Sequence, residues 1–154
     1  MLEPVGDHVA AAALGWVGTP FRWEASLKGV GVDCRGVLSG VARECGLPEA
    51  AEIEARVVGY SRRINEAALM AGLDRLFDRQ PGLNDLRPGD VLGFRIQRKL
   101  QHLGIYTGDG TSHRMVHAYS GDPAQVIEAP LGRFWMGRLA GVWRWRVPEG
   151  QGGN

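Results

Sequence analysis

The sequence predicts an α+β domain in which helices come first and pack on an antiparallel sheet built from the strands that follow. Three observations carry this. Apolar residues recur at helical spacing in the first half of the chain and alternate at strand spacing in the second. Glycine supplies 23 of the 154 residues, about twice its usual share, which suits a fold with many tight turns better than a helical bundle. Helices followed by strands, rather than interleaved with them, argue against a wound parallel sheet.

Asp7 to Val17 is an Ala-rich apolar segment stopped by Gly18-Thr19-Pro20, and reads as a first helix ended by a turn. A Gly-rich loop through Phe21, Trp23, Gly29 and Gly31 leads to Asp33, an acceptor side chain at the N-cap position of the next segment. There Cys34, Val37, Leu38, Val41, Ala42 and Cys45 form one helical stripe, closed by Gly46-Leu47-Pro48. A third helix is expected over Ile64 to Phe77. The turn Arg87-Pro88-Gly89-Asp90 then opens a run of strands: Val91 to Ile96, His102 to Thr107, Met115 to Ser120, Val126 to Ala129 and Gly141 to Val147. In the last of these Trp143 and Trp145 face one way and Arg144 and Arg146 the other. Neither a repeat nor a second core is visible, so one domain is expected over residues 1–147, with a flexible tail at 148–154.

Composition excludes several classes. Hydrophobic residues make up 44% and charged residues 23%, ordinary for a globular chain and unlike disorder or a fibrous repeat. With 18 basic against 17 acidic residues, no bulk field draws the chain to nucleic acid or to an anionic membrane. Val9 to Val17 is apolar enough for a signal-peptide core, but Glu3 and Asp7 stand where a positive n-region is required. No apolar run reaches the roughly 20 residues that cross a bilayer. The expectation is a chain made in the cytoplasm without a Sec signal and not inserted in a membrane.

Cys34 and Cys45 lie eleven positions apart on one helix, roughly 16 Å along its axis, and cannot pair with each other. Capped by Asp33, Cys34 sits in the first turn, where unpaired N–H groups and the helix dipole favour a thiolate. From position alone it reads equally as a nucleophile or as the first thiol of a core stripe; Cys45 reads as core. The histidines weigh toward chemistry. His102 opens one strand and His117 lies in the next, with Gly108-Asp109-Gly110-Thr111 between them. A two-residue turn at Asp109-Gly110 sets the two imidazoles directly opposite one another, their Cβ atoms roughly 5 Å apart on one face. A base with a second polar group that fixes its tautomer is what a thiol nucleophile uses. A slip of one residue would turn the rings to opposite faces. His8 and His113 have no motif around them and read as surface residues. A zinc site is the rival for one Cys and two His, but short ligand spacings are missing, so no metal and no cofactor are expected.

These residues carry a resemblance. Trp16-Val17-Gly18-Thr19-Pro20-Phe21-Arg22-Trp23 followed by Gly31-Val32-Asp33-Cys34-Arg35-Gly36 resembles the opening of the NlpC/P60 cell-wall cysteine peptidases. Leu86 to Val91, His102-Leu103-Gly104-Ile105-Tyr106 and Val116-His117-Ala118 resemble that family's later segments in order. The resemblance implies a papain-like fold and hydrolysis of a stem-peptide amide in peptidoglycan, typically between the D-glutamate side chain and diaminopimelate. It implies Cys34 as nucleophile, His102 as base and His117 as the residue orienting it, with Asp33, Arg35, Phe21 and Trp23 near the substrate. Phe21 and Arg35 depart from the family pattern, which has Tyr and Ser there. Departures of this kind leave open a weak or inactive wall-binding module, or a thiol acyltransferase of the same fold. Ala118-Tyr119-Ser120-Gly121 and the Trp135 to Arg138 segment look most like the phage and gene-transfer-agent branch, which implies a virion tail or baseplate partner and action in the periplasm.

Overall fold

The computed structural model describes residues 4–58 and 65–146. The expected tail at 148–154, Val147 and Ile64 lie outside them. Helix α1 spans Val5–Leu14 and α2 Cys34–Glu44, with the two-residue strands β1 (Ser26–Leu27) and β2 (Gly31–Val32) between them. After α2 come α3 (Ala50–Ile53), a π-helical turn (Glu54–Val58), α4 (Glu66–Leu76) and β3 (Phe77–Arg79). The remainder is β4 (Val91–Ile96), β5 (Lys99–Tyr106), β6 (Arg114–Tyr119), β7 (Gln125–Pro130), α5 (Arg133–Met136) and β8 (Leu139–Trp145). Six strands form an antiparallel sheet in the order β3-β8-β4-β5-β6-β7, which is the expected α+β arrangement. The last strand, expected over Gly141 to Val147, begins two residues earlier, at Leu139.

Sequence chemistry explains the boundaries that matter here. Asp33 Oδ1 accepts from the Gly36 N–H at 2.7 Å, the predicted N-cap, and Gly46 takes a positive φ just past the helix end. Helix α1 stops at Leu14, short of the expected Val17, because the chain tightens into three-residue turns from Ala12 to Thr19. That tightening delivers Trp16, 2% exposed, onto α2. A Cβ at Gly40 would lie 2.3 Å from the Trp16 ring, so only glycine admits the indole there. The Trp16 N–H then donates to Glu44 at 3.1 Å.

The sheet has two apolar faces. Val9, Val37, Leu38, Leu73, Leu103, Ile105, Val116 and Trp143 join helices to one face. Leu92, Phe94, Tyr106, Met115 and Val142 form a second cluster covered by Trp135, Met136 and Leu139 around α5. Trp143 is fully buried and donates its indole N–H to Asp74 on α4 at 2.9 Å; truncating such a side chain costs about 3–5 kcal/mol. Arg144 points away from it, as the alternation predicts, and makes a bidentate pair with the buried Asp90 at 2.8 and 2.9 Å. That pair clamps the turn before β4 to β8.

Candidate active site

Two elements build the site. Helix α2 presents Cys34 at its first position, and the hairpin of β5 and β6 presents His102 and His117. His102 Nε2 and His117 Nδ1 are 2.9 Å apart, with the rings perpendicular. The pair forms as expected, although not by the expected register. The observed pairs are Ile105 with Val116 and Tyr106 with Met115, two residues away from the register that would oppose the histidines. Continued along the strands, His117 faces Gly104 and His102 lies diagonal to it. A shift of two preserves the face, so the rings still meet.

The cause is the turn. Asp109 does not enter the two-residue loop, because its carboxylate accepts from the N–H groups of Thr111 and Ser112 at 2.9 and 2.8 Å. Gly110 becomes the first central residue, with φ +90°. Gly104 completes the diagonal arrangement: a Cβ there would lie 2.6 Å from the Met115 sulfur and 3.6 Å from the His117 Cβ.

Cys34 meets the hairpin at the start of β5. A bulge at Phe94 and Arg95 leaves Gln101 unpaired, and the Cys34 sulfur hydrogen-bonds its carbonyl at 3.6 Å. Gln101 immediately precedes His102. Among the described residues, no hydrogen bond joins the sulfur to either imidazole. Cys34 is 8% exposed and part of the helix-side core.

Burial corrects the expectation of a standing thiolate. Loss of solvent, and secondarily the neighbouring Asp33 carboxylate, push the Cys34 thiol up to about 11. The N–H groups of Leu103 and Arg35 pull it back only in part. Burial also pushes His102 down to about 3, with the adjacent His117 adding to the effect, and His117 down to about 4. The resting site is therefore neutral throughout: a thiol and two uncharged imidazoles.

Hydrogen-bond logic fixes the useful tautomer. For His102 to receive a proton on Nδ1, its Nε2 must carry hydrogen and donate to His117 Nδ1, which leaves the His117 proton on Nε2. That nitrogen is buried with no hydrogen-bond partner. The His117 ring is flanked by Trp135, with ring centroids 5.0 Å apart at 74°, and by Tyr119, with centroids 6.2 Å apart at 68°. Steeply inclined rings can receive an N–H on a π face but give nothing to a bare lone pair. The aromatic surroundings thus favour the tautomer that leaves His102 Nδ1 free.

Trp135 has a second contact, stacked on His102 at 4.9 Å and 21°. A π face so placed stabilises an imidazolium once His102 takes a proton. Sequence reasoning noted the Trp135 segment only within the resemblance. No periodicity marks a four-residue helix whose indole packs on both histidines.

The remaining expected site residues fall unevenly. Asp33 is 5% exposed. Besides capping α2, it accepts from the Glu24 N–H through Oδ2 at 2.8 Å, holding Glu24 at φ +58°. Both its oxygens thus serve the backbone. Arg35 donates to the Val57 carbonyl at 3.3 Å, which ties it to the π-helical turn. Phe21 packs against the core and meets Trp23 edge to face at 4.9 Å, leaving Trp23 62% exposed. Cys45 caps the far end of α2 as a free, half-buried thiol whose sulfur hydrogen-bonds the His8 carbonyl at 3.7 Å. His113 is exposed and paired with the Tyr106 hydroxyl at 2.8 Å. Among the described residues no cluster of three metal-ligating side chains occurs.

The sequence profile of the NlpC/P60 family matches residues 18–144. The chain belongs to the NlpC/P60 family. Solved structures with the same fold include an NlpC/P60 family protein from Bacillus cereus, 19% identical with a TM-score of 0.66, the match covering 94% of this chain and 41% of that one. The NlpC/p60 domain of the peptidoglycan hydrolase SagA is 17% identical with a TM-score of 0.60, over 91% and 98% of the two chains. An N-acetylmuramoyl-L-alanine amidase from Bacteroides uniformis is 14% identical with a TM-score of 0.67, over 92% and 99%. The chain spans less than half the length of the first of these neighbours. No curated protein matches it in sequence.

Proposed function

We propose that the protein is a cysteine peptidase that hydrolyses an amide in peptidoglycan stem peptides, with the bond from D-glutamate's side-chain carboxyl to diaminopimelate the first candidate. The observation that carries this reading is the His102–His117 bond at 2.9 Å, on a strand whose start touches the Cys34 sulfur. Membership of the NlpC/P60 family and a fold shared with a named peptidoglycan hydrolase support it.

In this reading the neutral thiol transfers its proton to His102 Nδ1 as the sulfur attacks the carbonyl carbon, so the thiolate never accumulates. The sulfur first leaves the Gln101 carbonyl. The N–H groups of Cys34 and Arg35 head the helix without an intrahelical acceptor and receive the oxyanion. His102, held by His117, returns the proton to the leaving amine. Water then attacks the thioester and releases the acid.

Digestion of diaminopimelate-type peptidoglycan with the wild-type chain and with Cys34→Ala tests this. New fragments from the wild type alone, identified by mass, establish the activity and name the bond. One observation favours a second reading, a wall-binding module without turnover: the buried thiol is hydrogen-bonded to a carbonyl instead of an imidazole. Saturable binding of the wall by both proteins, with no fragments from either, would support that reading. We also propose, from the likeness of Ala118 to Gly121 and of the Trp135 to Arg138 segment to the phage-type branch, that the protein works in a virion tail or baseplate and acts in the periplasm. Its absence from purified particles of the producing cell would remove that assignment.

A further inference from the structure

Beside the aromatic wall of His102 lies an open cleft of about 500 Å³ whose lining includes Arg95, Gln97, Arg98, Gly137 and Arg138. Three arginines line it in a chain of nearly balanced charge. The backbone holds two of them side by side, since the Arg95 N–H donates to the Arg138 carbonyl at 2.8 Å. This contact sits where β4 slips register against both neighbours, between Gly93 and Phe94 on the β8 side and between Phe94 and Arg95 on the β5 side. Paired bulges splay the strand end and aim Arg95 outward.

Arg98 is the most telling member. Ile96 pairs with Lys99, so Gln97 and Arg98 form a two-residue hairpin loop with φ +53° and +69°. Such a loop favours Asn-Gly, because both positions are left-handed and strained for ordinary side chains. The chain keeps an arginine where glycine would relieve the backbone, and among the described residues that arginine has no hydrogen-bond or ion-pair partner. Arg95 uses its Nε on Glu66 at 3.3 Å, and Arg138 gives one terminal nitrogen to the Phe134 carbonyl while lying over the Phe134 ring. Both retain free donors.

Chain neighbours of the lining residues connect the cleft to the candidate active site. Phe94 packs against His102 and precedes Arg95, while Trp135 stacks on His102 three residues before Arg138. Arg98 lies four positions before His102, on the order of 13 Å along a strand, within reach of an extended tetrapeptide.

We propose that this arginine cleft is a carboxylate subsite that binds the free carboxylates of the peptide lying across His102. The proposal rests on the peptidase reading for the identity of that peptide, although not for the cleft's chemistry. Guanidinium forks match carboxylates in charge and shape.

The test uses the full chain and Arg98→Gly, with Arg138→Gln as a second variant. The probe is the tetrapeptide L-Ala-γ-D-Glu-diaminopimelate-D-Ala, free or with the diaminopimelate and terminal carboxylates amidated. Binding is read on the Cys34→Ala background by calorimetry, with the arginine Nε–H signals followed by NMR. We expect Arg98→Gly to raise the melting temperature and still weaken binding of the free peptide about tenfold, the loss of one charge-assisted contact. Amidation should weaken the wild type similarly and leave Arg98→Gly unchanged.

Equal binding of free and amidated peptide, or undiminished binding by both variants, would overturn the subsite even if the wild type cleaves the peptide. Arginine-dependent binding with no cleavage would uphold the subsite while the peptidase reading falls.

Discussion

The two ends of the β5–β6 hairpin each carry a histidine bonded to a second ring, and they behave as opposites. At the open end His117 is 1% exposed, bonded to His102 and walled by Trp135 and Tyr119. At the turn end His113 is exposed and bonded to the Tyr106 hydroxyl. Both bonds are close to 2.9 Å, so distance does not separate them. What does is whether the imidazole retains water. Loss of solvent holds His102, partly buried, and His117, fully buried, neutral far below their ordinary range.

If that contrast is functional, His102→Ala should lower turnover of the tetrapeptide by about 10² to 10⁴, the range of a general base. His113→Ala should change it less than about twofold. Comparable losses at both positions would erase the distinction. His117→Ala sharpens it further: the loss, about 10- to 100-fold, should fall on kcat with KM little changed, since the residue positions the base without touching substrate.

The next largest effect concerns acid. His102 and His117 have folded values of about 3 and 4 against 6.5 for the free side chain. The unfolded chain therefore binds protons first as pH falls. Their contribution is present in full above pH 6.5 and is lost as pH drops through about 4 and 3. Thermal melts from pH 7 to 4 should show this decline, and proton NMR should find neither ring titrating between pH 5 and 8. In His113→Ala the decline should persist. A flat stability profile would mean the pair is wetter than its packing implies. Smallest is Tyr106→Phe, which removes the hydroxyl partner of His113 and of the Gly110 N–H. It should cost about 1 kcal/mol, or about 2–4 °C in Tm, without changing kcat.

The site was legible in the sequence where chemistry is local. Asp33 before an apolar stripe marked both the cap and the helix start, and the alternation of Val91 to Ile96 gave the limits of β4. The hairpin shows a local rule failing harmlessly. Asp109-Gly110 announced a tight turn, but the Asp109 carboxylate took the N–H groups of Thr111 and Ser112 and the centre moved by one residue. The partner strand slid by two, and parity kept both rings on one face. A shift of one would have ruined the pair.

Less legible was what depends on distant packing. The helix-start argument for Cys34 counted favourable N–H groups and could not count the loss of water imposed by Leu103, Val37 and the rest of the core. Neither Trp135 over His102 nor the short strands β1 to β3 leave a periodic trace. Asp33 illustrates the same limit from the other side. The sequence marked it as a cap and gave no sign that its second oxygen holds the Glu24 loop.

The neutral, buried state of Cys34 also bears on durability. Peroxides oxidise thiolates far faster than thiols, and accessible thiolates fastest of all. On the proposed mechanism Cys34 ionises only while attacking, so between turnovers it would present almost no target to such oxidants and would resist the conversion to sulfenic and sulfinic acids that disables exposed, acidic cysteines.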